Sequence, residues 1–286
     1  MQVNKVYKKF CLARPVSIIL DEAMNKEKYL SRIGISGKTL SANLETLRLL
    51  QRHHLLHVPF ENLDIHWKRP IILDTGRFYK KIVGKGRGGF CYELNGLFNE
   101  LLRDIGFHTR LVSARVFSGE KGYGPEYDHA AIIVTIGELE FLADVGFGDF
   151  TAEPLRLVAD IEQHDRESNF AIRRAEFGVL EVTKKIDGGW IPQYCFEPFG
   201  RDLSEFTEMC DFQQYSLESH FKKGKVCSLL TENGRKTLTD KSFIVTVNGQ
   251  KTETPVGSDE EFDQILEREF GIAITTGLAE AGENIF

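Results

Sequence analysis

Between Leu40 and Ile105, apolar residues recur at helical spacing, and residues from about Asp21 to Arg110 read as helical. Leu40, Leu44, Leu47 and Leu50 share one face of a helix that Thr39 or Ser41 would cap. Leu55 and Leu56 carry it toward Pro59, which ends it. A second run, Leu94, Leu97, Phe98, Leu101, Leu102 and Ile105, closes on Gly106 at the C′ position, so a helix opens near Cys91. Past Gly106 the period changes from 3.6 to 2. Residues 109–117 alternate as a strand, Gly119, Gly122, Gly124 and Pro125 mark a loop, and strands are predicted over 129–136 and 139–147. A two-residue Gly137-Glu138 turn, with glycine first as type II′ requires, sets Ile136 against Leu139. That register gathers Ala130, Ile132, Val134, Ile136, Leu139, Phe141, Ala143 and Val145 on one face, and a slip of one residue would scatter the set.

The chain stays β-rich from 169 to 196, with strands at 179–185 and 190–196 around an Asp187-Gly188-Gly189 turn. Leu203, Phe206 and Cys210 line a short connecting helix. A last segment starts near Tyr215, with strands at 226–230 and 242–247, the latter turned back by Asn248-Gly249. It closes on a helix with a Ser258-Asp259-Glu260-Glu261 capping box, a buried face of Phe262, Ile265, Leu266 and Phe270, and a stop at Gly271. Helices, then strands, then a small mixed segment make an α+β chain in three parts, 1–108, 109–214 and 215–286.

Composition narrows the function. No apolar run approaches the ~20 residues of a membrane span, and no apolar stretch follows the basic start before Arg14, Pro15 and Asp21, so no export signal is expected. Five scattered cysteines (Cys11, Cys91, Cys195, Cys210 and Cys227) without a Cys-x-x-Cys pair point to reduced thiols in a cytoplasm. A formal net charge of −6 argues against a general nucleic-acid binder, which needs a basic face. The small basic cluster Lys222-Lys223-Gly224-Lys225 reads as a solvated loop or as a site for a small phosphorylated ligand. His53 and His57 are four apart, but the zincin pattern needs Glu at the position of His54 and no third ligand is near, so no metal is expected.

The chemistry gathers at Arg87-Gly88-Gly89-Phe90-Cys91-Tyr92-Glu93-Leu94-Asn95. Cys91 sits in the first turn of its helix, where free backbone N–H groups carry partial positive charge and are expected to lower the thiol pKa. Gly84, Gly86, Gly88 and Gly89 are expected to turn the chain sharply and keep bulk away from the sulfur. Across the hairpin, Asp144 opposes Ala131 and becomes a diagonal neighbour of His129, within side-chain reach. Cysteine, histidine and aspartate then make a set in which the imidazole takes the thiol proton and the carboxylate fixes the tautomer. Asp128 points to the other face. Glu61 stands among apolar neighbours and needs a partner, for which Arg87 is the candidate; exposure of Glu61 is the alternative. Gly146-Phe147-Gly148 suggests backbone close to a ligand, with Phe147 as a wall, or else an ordinary turn.

The chain resembles the arylamine N-acetyltransferases, bacterial type. The resemblance rests on Pro59-Phe60-Glu61-Asn62-Leu63, on the stretch from Arg87 to Asn95, on His129 and on Leu142-Ala143-Asp144-Val145-Gly146-Phe147-Gly148. Ser219-His220-Phe221, Cys227-Ser228-Leu229 and Gly234-Arg235-Lys236-Thr237-Leu238 match more loosely. It implies a helical bundle, a central β-barrel and an α/β lid with a cysteine-protease-like core. It also implies ping-pong chemistry: Cys91 takes acetyl from acetyl-CoA and passes it to an arylamine, arylhydrazine or N-arylhydroxylamine, a role in xenobiotic metabolism. His129 and Asp144 would complete the triad, Glu61 and Arg87 would pair beneath it, and Gly146, Phe147, Gly148 and Phe221 would border CoA. CoA and the small-molecule acceptor are then the partners of a monomer or homodimer, with no metal, membrane or nucleic acid. Asp149 departs from the expected pattern, where another glycine often follows. The same triad also serves cysteine hydrolases and transglutaminase-like enzymes, and a binding protein without turnover is a third reading.

Overall fold

The computed structural model describes residues 24–166 and 168–273, so Cys11 and the start of the predicted helical region at Asp21 lie outside the described residues. The first part holds α1 (Lys26–Arg32), α2 (Leu44–His57), β1 (Phe60–Glu61), α3 (Leu63–His66), α4 (Thr75–Tyr79), which runs on into one π-helical turn at Lys80–Gly84, and α5 (Cys91–Ile105). The cap of α2 is neither Thr39 nor Ser41 but Asn43, whose side chain accepts from Thr46 N at 2.9 Å and donates to Ser41 Oγ. Gly106, at φ 106°, stops α5 as its spacing predicts.

The second part is β2 (His108–Val116), β3 (His129–Ile136), β4 (Leu139–Ala143), β5 (Leu155–Arg156), β6 (Glu162–Asp165), β7 (Ser168–Arg174), β8 (Leu180–Ile186) and β9 (Gly189–Phe196). They form one antiparallel sheet in the order β5-β4-β3-β2-β9-β8-β7-β6. Gln163 on β6 takes Arg156 N of β5 at 2.8 Å and returns a bond to Arg156 O at 3.0 Å, so the two edge strands meet and the barrel is nearly closed. Ile136 does pair with Leu139 across Gly137, at φ 61°. The hairpin is apolar on both faces, however. Ile132, Val134, Phe141 and Ala143 pack on α2 and α5, while Ala131, Ile133 and Leu142 face the barrel interior with Phe170, Val182 and Tyr194.

A connecting helix α6 (Thr207–Tyr215) leads to the third part, which holds β10 (Val226–Thr231), β11 (Gly234–Thr239), β12 (Ser242–Val247), β13 (Gln250–Pro255) and α7 (Asp259–Phe270). Its sheet runs β1-β10-β11-β12-β13, with Phe60 opposite Ser228 and Glu61 opposite Cys227. The first part is therefore not helical throughout, because β1 lends a strand to the last sheet. Phe262, Ile265, Leu266 and Phe270 of α7 cover Leu63, Cys227 and Leu238. Only half of the expected capping box forms: Ser258 Oγ accepts from Glu261 N, but the Glu261 carboxylate reaches past Ser258 to Gly257 N at 2.7 Å.

Candidate active site

Cys91 is the first residue of α5 and is 3% exposed. One helical turn on, Asn95 faces the same way. Its Nδ2 donates to Ala130 O at 2.6 Å and to Asp144 Oδ1 at 2.9 Å, and its Oδ1 accepts from Val145 N at 3.0 Å. A single amide thus ties the Cys91 helix to the start of β3 and to the chain leaving β4. That chain leaves early. The ladder ends at Ala143, short of the predicted 147, so Asp144 has no cross-strand partner and turns its side chain inward.

Asp144 Oδ2 lies 2.7 Å from His129 Nε2 and accepts from Tyr194 Oη at 3.1 Å, while Oδ1 accepts from Gly146 N at 2.9 Å as well as from Asn95. Four donors converge on one buried carboxylate. An ionised carboxylate only accepts, so the hydrogen bond assigns the proton to Nε2 and leaves the lone pair on Nδ1. Ala130, the next residue, is bound through its carbonyl by Asn95 of the Cys91 helix. Asp128 is held elsewhere, by Gln213 Nε2 at 2.7 Å.

The expectation of a lowered thiol pKa does not hold. Burial pushes the Cys91 thiol up, the Ala130 N–H opposes that, and the carboxylates of Asp128 and Asp144 add to the rise. Loss of water around the sulfur is the largest of these effects. A thiolate here needs a proton acceptor beside it.

The glycines also act differently from expectation. A Cβ on Gly88 would fall 2.0 Å from Pro59 O, and one on Gly89 2.9 Å from the Glu93 side chain, so these two admit β1 and Glu93 rather than clearing the sulfur. Gly146 is the residue that packs behind Cys91: a Cβ there would sit 2.8 Å from Cys91 Cα and from Asn95 Nδ2.

Beneath the Cys91 loop, Arg87 Nη2 meets Glu61 Oε1 at 2.6 Å and Asp64 Oδ1 at 3.0 Å. Lys81 Nζ meets Asp64 at 2.8 Å and Glu93 at 2.9 Å. The predicted Glu61–Arg87 pair is therefore two members of a buried network of five. Burial raises the Glu93 pKa, with Lys81 opposing. Glu61 Oε2 and Glu93 Oε2 accept from Leu63 N and Phe90 N, so the network also holds the backbone on both sides of the loop.

Phe147 stands half-buried against His129 and Tyr194, at ring separations of 5.1 and 5.0 Å. With Gly148, Phe60, Ser228 and Arg235 it lines a narrow gap. Past Arg235 the gap meets a cleft of about 630 Å³ between the barrel and the last sheet, with Arg52, Arg166, Lys184 and Asp149 on its walls. Asp149 Oδ2 is 2.7 Å from Lys184 Nζ, and its Oδ1 is 4.0 Å from Arg235 Nε. Phe221 packs on Phe60 and Phe90 at 6.1 and 5.9 Å, on the Cys91 side of the gap. His53 and His57 stack on each other, each with Nδ1 at a backbone carbonyl. Among the described residues no cluster of His, Cys, Asp and Glu is placed to hold a metal.

A thiol at a helix N-terminus, an imidazole on the adjoining barrel strand and a carboxylate that fixes the imidazole define the cysteine-protease-like class of nucleophilic sites. Within that class the chain belongs to the N-acetyltransferase family, whose sequence model matches residues 43–279. It is 31% identical to the arylamine N-acetyltransferase pineal gland isozyme NAT-10 of Gallus gallus, over 88% of this chain and 95% of that one. The solved arylamine N-acetyltransferase of Salmonella typhimurium superposes with a TM-score of 0.83 at 29% identity, covering 90% of this chain and 95% of that one. The Mycobacterium marinum arylamine N-acetyltransferase, solved in complex with CoA, gives 0.80 at 25% identity, covering 87% and 93%.

Proposed function

We propose that the chain is an arylamine N-acetyltransferase that carries acetyl from acetyl-CoA on Cys91 to an aromatic amine, hydrazine or hydroxylamine. The observation that carries the reading is the His129 Nε2 contact to Asp144 at 2.7 Å, which leaves Nδ1 as the free base on the residue next to Ala130, whose carbonyl Asn95 ties to the Cys91 helix. The Cys91 proton passes to Nδ1, and the thiolate adds to the thioester carbonyl. Collapse of the tetrahedral adduct breaks the bond to CoA sulfur, which leaves with the proton held by His129. In the second half the amine adds to the acetyl-cysteine, His129 removes its proton, and the Cys91 sulfur departs and is reprotonated. Free N–H groups at the start of α5 offer donors to the oxyanion.

The cationic cleft beyond Arg235 suits the phosphates of CoA, and Phe147, Gly148 and Phe221 suit its pantetheine arm. Asp149 already bridges two of the cleft's cations, so it competes with the donor, and Asp149→Gly is expected to lower the KM for acetyl-CoA; an unchanged or higher KM refutes this. The four described cysteines are unpaired, which supports a reducing compartment such as the cytoplasm and, with it, a role in handling xenobiotic amines. Among the described residues no helix is long and apolar enough to cross a membrane.

Intact-protein mass spectrometry after a brief pulse of acetyl-CoA, without acceptor, tests the reading. One acetyl adduct is expected on the wild type, none on Cys91→Ala, and an added arylhydrazine should discharge it. If neither protein is labelled and CoA stays acetylated, the proposal fails.

A further inference from the structure

A second basic concavity, of about 210 Å³, opens between residues 69–72, α4 and the run that leads to the Cys91 loop. Its walls carry six cations, Arg69, Arg77, Lys80, Lys81, Lys85 and Arg87, against the carboxylates of Asp64 and Glu93. In a chain of formal net charge −6, that excess is local. Lys81 and Arg87 are spent on the buried network, at 2.8 and 2.9 Å and at 2.6 and 3.0 Å. Arg69, Arg77, Lys80 and Lys85 are exposed and have no carboxylate partner among the described residues; Arg69 rests on the Trp67 ring instead. Four unpaired like charges around one hollow repel each other and attract an anion.

The backbone arranges this rim. Lys85 N donates to Lys80 O at 3.0 Å, the bond of a π turn. In an α-helix two residues five apart point about 140° away from each other. The wider turn brings both lysines to the same opening, and such turns are frequent at functional sites. Guanidinium forks beside flexible ammonium groups fit phosphate oxygens, which accept several charge-assisted bonds at once. The volume falls below the ~300 Å³ at which sites for drug-sized ligands begin, so it takes a phosphate or diphosphate group and not a whole nucleotide.

We propose that this pocket binds a small phosphorylated anion carrying two or more negative charges, at a site separate from the cleft assigned to CoA. The two share no lining residue. Inorganic pyrophosphate is the probe. Calorimetric titration of the full chain at low salt, with wild type, Arg77→Glu/Lys85→Glu and Lys184→Gln, should show a saturable binding event that weakens by about tenfold or more in the double variant and persists in Lys184→Gln. Arg77→Gln/Lys85→Gln, which removes charge without reversing it, should weaken it in the same direction, and thermal melts confirm that each variant is folded. A wild type that binds no pyrophosphate, a double variant that binds as tightly as wild type, or loss of the event in Lys184→Gln overturns the proposal.

Discussion

Two imidazoles are sealed inside this protein, and they have opposite surroundings. His129 is 2% exposed, packs on Phe147 and Tyr194, and meets a carboxylate that three further donors hold in place. His54 is 0% exposed, lies between Tyr29 and Phe98, and has no hydrogen-bond partner on either nitrogen among the described residues. Burial first, with Arg32 and His57 adding to it, pushes the His54 pKa down to about 3. An imidazole buried without a partner has lost its use as a base, since charging it is too costly. The fold places a carboxylate at His129 and leaves His54 without one. The same holds for sulfur: Cys91, like buried Cys227, is pushed up by desolvation.

The largest effect should come from making the two histidines alike. Asp144→Asn keeps the shape but removes the charge that stabilises an imidazolium, and the rate of Cys91 acetylation is expected to fall by roughly 10³ to 10⁴. Rapid-quench mass spectrometry measures it, and a loss below tenfold would mean that Asp144 only positions the ring. The smaller effect is on stability and belongs to His54. Its folded pKa lies below the ordinary 6.5, so the unfolded chain binds the extra proton as pH drops from 6.5 toward 3, and stability is lost over that window. Between pH 6.5 and 4.5 this amounts to about 2 to 3 kcal/mol. His54→Leu should remove that part of the acid sensitivity in urea titrations at the two pH values; an undiminished acid loss in the variant would show that other groups dominate.

The elements that carry strong periodicity were legible in the sequence. α5 with its glycine stop, the β3–β4 register and the buried face of α7 all follow from spacing and turn chemistry. β11 was not, because Gly234-Arg235-Lys236-Thr237-Leu238-Thr239 has one apolar residue and is held by backbone pairing on both sides. Asn95 and Tyr194 escaped because each reads as part of an apolar run; the signal for Asn95 was an amide one turn from Cys91 on the same helix face. Asp64, Lys81 and Glu93 look like ordinary surface charges until the fold buries them together. Helix position predicted partial positive charge at Cys91 but carried no information about desolvation, and desolvation decides the sign.

The proposed function makes His129, and not the helix terminus, the group that renders Cys91 reactive. The direct test is the pH dependence of Cys91 alkylation by iodoacetamide in the wild type and in His129→Gln, followed by intact mass. The wild type should react readily near pH 7, whereas the variant should react only above the ordinary thiol range near pH 8.5. The same onset in both proteins would contradict this, since the helix terminus would then activate the sulfur without help from the imidazole.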